Sequence, residues 1–106
     1  HFGGVVNTDD EGALVTRALG NCKAAVLGNH GLITVGHTVD SAAWWFISME
    51  RCARAQLDAH AAGTPVPIPH DVALATRAQV GVERWGRFSF FPLALNVVAT
   101  QPEVLD

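Results

Sequence analysis

Cysteine and basic residues are both scarce in this 106-residue chain, and each scarcity excludes a class of protein. The two cysteines, Cys22 and Cys52, show no CxxC or Cys/His ligand spacing, which excludes a disulfide scaffold and favours a reducing compartment. The seven Lys and Arg residues are scattered and the formal net charge is -3. A phosphate backbone needs a basic stripe, so nucleic acid is not an expected partner.

Long apolar runs are absent as well. No segment is long enough to span a bilayer, and the first residues lack both the basic and the apolar regions of a signal peptide. With 49% hydrophobic and 16% charged residues, the composition is that of a globular domain. We therefore expect a cytoplasmic protein without membrane insertion.

The familiar self-sufficient chemical motifs are also missing. The five histidines form no HxH or HExxH pair, and the sequence has no GxSxG elbow, P-loop or GxGxxG string. A nucleophilic or nucleotide-binding site therefore has little support, and a metal site would need ligands from elsewhere.

Capping and periodicity signals divide the chain into helices and short strands. Thr8 and Glu11 form a T-x-x-E capping box, and Thr38 can cap a long helix that Gly63 and Pro65 end. Strands are predicted at 5–6 after Gly3-Gly4, at 24–27 and at 32–35. Helices are predicted from Thr8 to about 19, from Thr38 to about 62, from 70 to near 81, and at 93–100 with Pro92 in the first turn.

The strands at 24–27 and 32–35 are predicted to form a hairpin, with the first buried on both faces. In the corner between them, Gly31 can adopt a positive φ without steric cost, and Asn29 tolerates the same region. His30 at this corner would be rigidly aimed, either as a metal ligand or as a histidine bonded to the backbone. His37 follows the second strand and could orient another group. His60 and His70 are expected to be solvated residues at helix ends.

The long helix is predicted to be amphipathic, with two exceptions to the pattern. Glu50 lies in the apolar arc, either paired with Arg54 one turn later or in a functional role. Trp44 lies in the polar arc, where it and Trp45 would contact another part of the domain or a second subunit. The predicted inward residues are Val39, Ala42, Phe46, Met49, Ala53 and Leu57.

The string NHGLITVG within residues 24–36, before a helix carrying Met49-Glu50-Arg51, resembles the class II aldolase/adducin family. The similarity runs from Phe2-Gly3-Gly4-Val5 to the aromatic segment FSFFPL and matches the C-terminal half of the family's domain. Residues 1–106 are therefore expected to be the C-terminal portion of one such domain, without its N-terminal half.

The resemblance implies an α/β fold, here a partial α/β/α sandwich with a central, mostly antiparallel sheet flanked by helices. Enzymes of the family, which include fuculose-phosphate aldolase, hold a divalent metal, usually zinc, with three histidines. They carry out aldol cleavage, epimerisation or related enediolate chemistry on a small sugar phosphate or hydroxy-carbonyl substrate. His30 matches the last of the three ligands, whereas the upstream HxH pair and the catalytic acid have no counterpart in this sequence.

Two further implications follow from the resemblance. The chain alone should be inactive because catalytic zinc needs three protein ligands. Tyrosine, which some family enzymes use as a proton donor, is absent, and this puts strict aldol cleavage in question. The family also implies a homo-oligomer, a tetramer in its enzymes, and offers an alternative function as a non-catalytic, adducin-like oligomerisation scaffold.

Overall fold

A computed structural model describes residues 8–106 of the chain. The predicted short strand at 5–6 lies outside the described residues. The elements in chain order are α1 (Asp9–Leu19), β1 (Ala24–Leu27), β2 (Gly31–Thr34), α2 (Val39–Ala62), α3 (His70–Val80), α4 (Glu83–Thr100) and a short 3-10 helix (Pro102–Leu105). The part of the chain that is described is therefore rich in helix around one small sheet, consistent with the α/β prediction.

The predicted helix caps are confirmed. The Thr8 hydroxyl accepts a hydrogen bond from Glu11 N, and Gly20 caps the C-terminus of α1 with its N–H donating to Thr16 O. At the start of α2, Thr38 and Ser41 bond reciprocally, and Gly63 ends the helix as predicted. These caps satisfy backbone groups that a helix end leaves unpaired.

The predicted hairpin is also confirmed. The two strands are antiparallel, with Ala24 opposite Thr34 and Leu27 opposite Gly31. The second strand begins and ends one residue earlier than predicted, although Val35 N still donates to Lys23 O at 2.8 Å. The prediction that the first strand is buried on both faces is wrong, because Val26 is 73% exposed.

The last helix begins ten residues earlier than predicted, at Glu83, so the aromatic segment is helical and Pro92 lies inside the helix. A proline within a helix removes one hydrogen bond, to the carbonyl four residues before it, and this loss did not end α4. The longer helix brings Gly86 against α2, where a Cβ on Gly86 would lie 2.8 Å from Trp45 Cζ2.

The sandwich is only partly represented in residues 8–106. Both α1 and α2 contact the hairpin, and α4 packs along α2, but the sheet has two strands. No large apolar side chain in this range is fully buried, and every residue of α3 is exposed. None of the described helices has the length and apolar character required to cross a membrane.

The predicted inward face of α2 is wrong at Val39, Phe46 and Leu57, which are exposed. Residues 51–62 are exposed on all sides, so the prediction is wrong at Ala53 as well. The contact with α4 includes Ser41 and Trp45 in the first half of the helix. The expected pair of Glu50 and Arg54 is not formed either, since Arg54 Nε lies 3.7 Å from Asp58. Glu50 is exposed, so its charge needs no partner.

Candidate functional site

His30 lies at the tip of the hairpin, in a turn with two unusual backbone conformations. Asn29 has φ 57° and Gly31 has φ 149°, as the sequence predicted for these two positions. The turn is closed by the His30 N–H, which donates to Leu27 O at 3.1 Å. Asn29 and Gly31 permit these φ values at little steric cost, and the hydrogen bond from His30 N closes the turn that presents the His30 side chain.

His30 also lines a cleft of about 320 Å³ between α1 and the hairpin. The residues lining the cleft are Gly12, Val15, Leu27, His30, Leu32 and Ile33. Apart from His30, these residues offer no side-chain charge or hydrogen-bonding group. The arrangement therefore places one imidazole at the edge of an apolar depression.

The other histidines among the described residues are not brought near His30 as a metal site. Residues 8–106 contain no group of three or more His, Cys, Asp and Glu side chains that could hold a metal ion. His60 in the last turn of α2 and His70 at the start of α3 are exposed, as predicted. His30 can thus supply one ligand, and a three-ligand metal site there would need at least one further ligand from outside residues 8–106.

A second cluster of polar side chains lies at the opposite end of the hairpin from His30. Lys23 Nζ donates to Glu83 Oε1 at 2.7 Å, and the main-chain N–H of His37 donates to Glu83 Oε2 at 3.1 Å. The Lys23 ammonium also lies 4.3 Å from the centroid of the Trp45 ring. We call Lys23, Trp45 and Glu83, with the His37 N–H, the hairpin-base cluster.

The hairpin-base cluster strongly perturbs its carboxyl group. Hydrogen bonding to Lys23, followed by hydrogen bonding to Ser41, lowers the pKa of Glu83 from 4.5 to about 2. The Glu83 side chain is 23% exposed, so this ion pair is better shielded from solvent than the Arg54–Asp58 pair, at 75% and 71%. The sequence alone did not predict this cluster, because Lys23 and Glu83 are 60 residues apart and belong to no local pattern.

Trp45 connects the cluster to the helices. Its ring lies beneath Lys23 and against Gly86, which explains the half-buried position of this tryptophan as a contact within the domain. Its buried Nε1 atom has no acceptor among the residues that the structure describes. For Trp44, also half-buried, the predicted choice between an internal contact and a subunit interface stays open.

A comparison with solved structures finds a similar fold in an aldolase. The L-fuculose 1-phosphate aldolase from Glaciozyma antarctica PI12 superposes with a TM-score of 0.84 and 41% sequence identity, over 91% of this chain and 39% of that one. The family model for the class II aldolase and adducin N-terminal domain matches residues 4–57, slightly more than half of the chain. The chain belongs to the class II aldolase and adducin family. This confirms the resemblance seen in the sequence.

Two relatives in this family come from streptomycetes. The decarboxylase NovR of Streptomyces niveus is 43% identical over 103 residues, which is 97% of this chain and 38% of the relative. A protein of Streptomyces roseochromogenus subsp. oscitans, named 4-hydroxy-3-prenylphenylpyruvate oxygenase/4-hydroxy-3-prenylbenzoate synthase, is 42% identical over 97% of this chain and 37% of its own length. The chain therefore spans less than two fifths of these relatives.

Proposed function

We propose that the protein carrying this chain breaks a carbon–carbon bond next to a carbonyl group, with a divalent metal to which His30 is one ligand. The observation that carries this proposal is the fixed turn that presents His30 beside a cleft, in a chain with the fold of an aldolase. The other two histidine ligands and the catalytic acid of the family would lie outside residues 8–106.

The names of the relatives support this class of reaction. An aldolase and a decarboxylase both break a carbon–carbon bond. Heterolytic cleavage of such a bond leaves an electron pair on one of the two carbon atoms. A bound divalent metal supplies Lewis-acid stabilisation of that developing negative charge. The contribution of His30 is an imidazole nitrogen, presented at the tip of the hairpin by the turn of Asn29 and Gly31.

The substrate is proposed to be a small hydroxy-carbonyl or oxo acid compound with an apolar body, in preference to a sugar phosphate. Besides Gly12 and His30, the described residues that line the cleft have aliphatic side chains, and none of them is a Lys or Arg that could bind a phosphate. One relative is named for a prenylated phenylpyruvate, whereas the structural neighbour is named for a sugar phosphate. Competition between a phenylpyruvate and a ketose 1-phosphate for the purified full-length protein would distinguish the two classes.

A non-catalytic, adducin-like scaffold is the second candidate, and the aromatic surface of α4 favours it. Phe88 is 70% exposed and Phe91 is 59% exposed, and these residues lie on the side of the helix away from Gly86. Exposed aromatic side chains are enriched at protein interfaces. We also propose that the protein forms a homo-oligomer, which both candidate functions would use. Its proposed location is the cytoplasm.

Metal analysis of the full-length protein distinguishes the two functions. We expect about one zinc ion per chain in the unmodified protein and a loss of bound metal in His30→Ala, because catalytic zinc uses three protein ligands. His60→Ala is the matched control, since His60 is exposed at the end of α2 and should leave the metal content unchanged. Absence of metal from both the unmodified protein and the control, in folded samples loaded with zinc, would overturn the enzyme function and favour the scaffold.

A further inference from the structure

A carboxylate group of α4 contacts the open end of the hairpin on both sides. Glu83, the first residue of α4, accepts hydrogen bonds from Lys23, directly before β1, and from the His37 main chain, just after β2. One side chain of α4 thus contacts the chain on both sides of the hairpin. The two bonds use different oxygen atoms of Glu83, so neither competes with the other.

The same point of contact joins the hairpin to both long helices. The Lys23 ammonium lies over the Trp45 ring of α2, and that ring lies against Gly86, one turn after Glu83 on α4. The hairpin, α2 and α4 therefore meet at the hairpin-base cluster. A displacement of Glu83 would release the hairpin base from α4 and disturb its contact with α2.

The position of His30 is sensitive to the angle at this base. The strand from Lys23 to Leu27 is about 13 Å long at 3.3 Å per residue. A tilt of about 10° at the base would move the turn by about 2 Å, several times the tolerance of about 0.5 Å for a preorganised ligand. The exposed turn at the tip is closed by a local hydrogen bond from His30 N to Leu27 O, which fixes the shape of the turn.

We propose that Glu83 is a positioning residue for His30, because it joins both ends of the hairpin to the first turn of α4 and so fixes where the histidine lies. This inference rests on the proposed function, in which His30 binds a metal. Partners that orient a metal ligand typically change metal affinity about 10- to 100-fold when they are removed. Glu83 is expected to act in the same way from the far end of the hairpin.

The test uses Glu83→Gln in the full-length protein, with cobalt(II) as the metal probe. Glutamine keeps the size of the side chain but replaces one carboxylate oxygen with an NH2 group, which cannot accept the hydrogen bond made at that position. Asp58→Asn is the matched control, because it makes the same chemical change in the exposed Arg54–Asp58 pair on the second half of α2. Cobalt affinity and the visible absorption of the bound ion are measured below the melting temperature of each variant.

We expect Glu83→Gln to weaken cobalt binding about tenfold and to alter the absorption of the bound ion, while Asp58→Asn changes neither. In the metal-free protein, amide hydrogen exchange in residues 24–34 should be about tenfold faster in Glu83→Gln than in Asp58→Asn. Lys23→Met keeps an apolar side chain beside Trp45 and should show the same changes to a smaller degree. This variant replaces Glu83→Gln in the test if Glu83→Gln does not fold.

Two results would overturn the inference. One is a lower melting temperature in Glu83→Gln with unchanged cobalt affinity and absorption, which would make the cluster structural only. The other is unchanged hydrogen exchange in the hairpin of metal-free Glu83→Gln. The proposed function fails in a different way, if the unmodified protein binds no cobalt. In that case amide hydrogen exchange in residues 24–34 alone decides whether Glu83 positions the hairpin.

Discussion

Asn29 is the only non-glycine residue in the range 8–106 with a positive φ, and it stands directly before His30. A positive φ costs about 1–2 kcal/mol for a residue whose side chain cannot hydrogen-bond to the nearby backbone. A β-branched residue is a clear outlier in this conformation. The turn that presents His30 therefore depends on the type of residue at position 29.

We predict that Asn29→Val lowers the free energy of unfolding of the full-length protein by about 1–2 kcal/mol and weakens metal binding at His30. Asn29→Gly, the control, should leave both quantities close to those of the unmodified protein, since glycine adopts a positive φ readily. Urea unfolding and metal titration measure the two effects. Equal stability of the two variants would show that the turn does not impose this conformation.

The low pKa of Glu83 predicts an acid-sensitive contribution to stability. A carboxyl group with a lower pKa in the folded chain stabilises the fold above its unfolded pKa and loses that contribution as the pH falls. The contribution of Glu83 should thus be complete above about pH 4.5 and should disappear as the pH approaches about 2.

Unfolding measurements at several pH values check this prediction. The difference in free energy of unfolding between the unmodified protein and Glu83→Gln should be constant at neutral pH and should shrink between pH 4.5 and 2. A difference that stays the same down to pH 2 would mean that the ion pair with Lys23 does not stabilise the folded chain.

These residues differ in how far the sequence could predict them. The turn at His30 was predictable because its signals, Asn29 and Gly31, are adjacent in the chain and act through local backbone sterics. The partners of Glu83 were not, since they depend on how α4 approaches the hairpin. The wrong pairing of Arg54 has a different cause, because Glu50 and Asp58 lie four residues before and after it, and helix spacing permits either pair.

At the scale of elements, strong capping signals gave accurate helix bounds and weak signals did not. Both ends of α1 and α2 and the end of α3 agree with the prediction because Thr8, Thr38 and glycines mark them. The start of α3 at His70 also agrees, where Pro69 precedes the helix without a side-chain cap. The start of α4 has no side-chain cap, and Val82 O accepts the first hydrogen bonds of the helix from Trp85 N and Gly86 N. Without a cap in the sequence, Pro92 is the strongest signal for a helix start in this region, yet it lies inside α4.

Two glycines, each the fourth residue of its helix, provide a matched test of helix packing. Gly86→Ala in α4 should destabilise the protein, because a Cβ would lie 2.8 Å from Trp45 Cζ2 and 2.9 Å from Ser41 Cβ. Overpacking typically costs about 1–3 kcal/mol, more than the gain of about 0.5–1 kcal/mol from replacing a helical glycine.

Gly12→Ala in α1 is the control, since no atom of the described residues beyond the adjacent backbone of α1 lies within 4 Å of the position that the added methyl group would take. It should raise the free energy of unfolding by up to about 1 kcal/mol. Chemical unfolding of both variants of the full-length protein gives the comparison. A stabilising Gly86→Ala would contradict the close approach of α2 and α4.

At the scale of the whole molecule, the described residues have secondary structure without a closed core. Ser41 and Gly86 are the buried residues in this range, and neither contributes a large apolar side chain. Burial of such side chains is the main favourable term in folding. The layers of the expected sandwich are therefore only partly present in residues 8–106, because they need more apolar contact than this range provides.

The 106-residue chain by itself should therefore unfold without a cooperative transition and should self-associate. Large apolar surfaces, including Val66 at 91% exposed and Leu105 at 72% exposed, would drive association in water. Calorimetry, size-exclusion chromatography and binding of a hydrophobic dye test this prediction. A single sharp transition in a monomeric sample would contradict it and would show that the chain forms a stable unit alone.

The stacking of Lys23 on Trp45 has an optical consequence. The ring lies 4.3 Å beneath a positive charge, in a half-buried environment that exists only when the hairpin lies against α2. Indole emission responds to both polarity and nearby charge, so docking of the hairpin should change the fluorescence of this tryptophan. Time-resolved emission from a protein in which Trp44 and Trp85 are replaced by phenylalanine could then follow hairpin docking during refolding, without an added label.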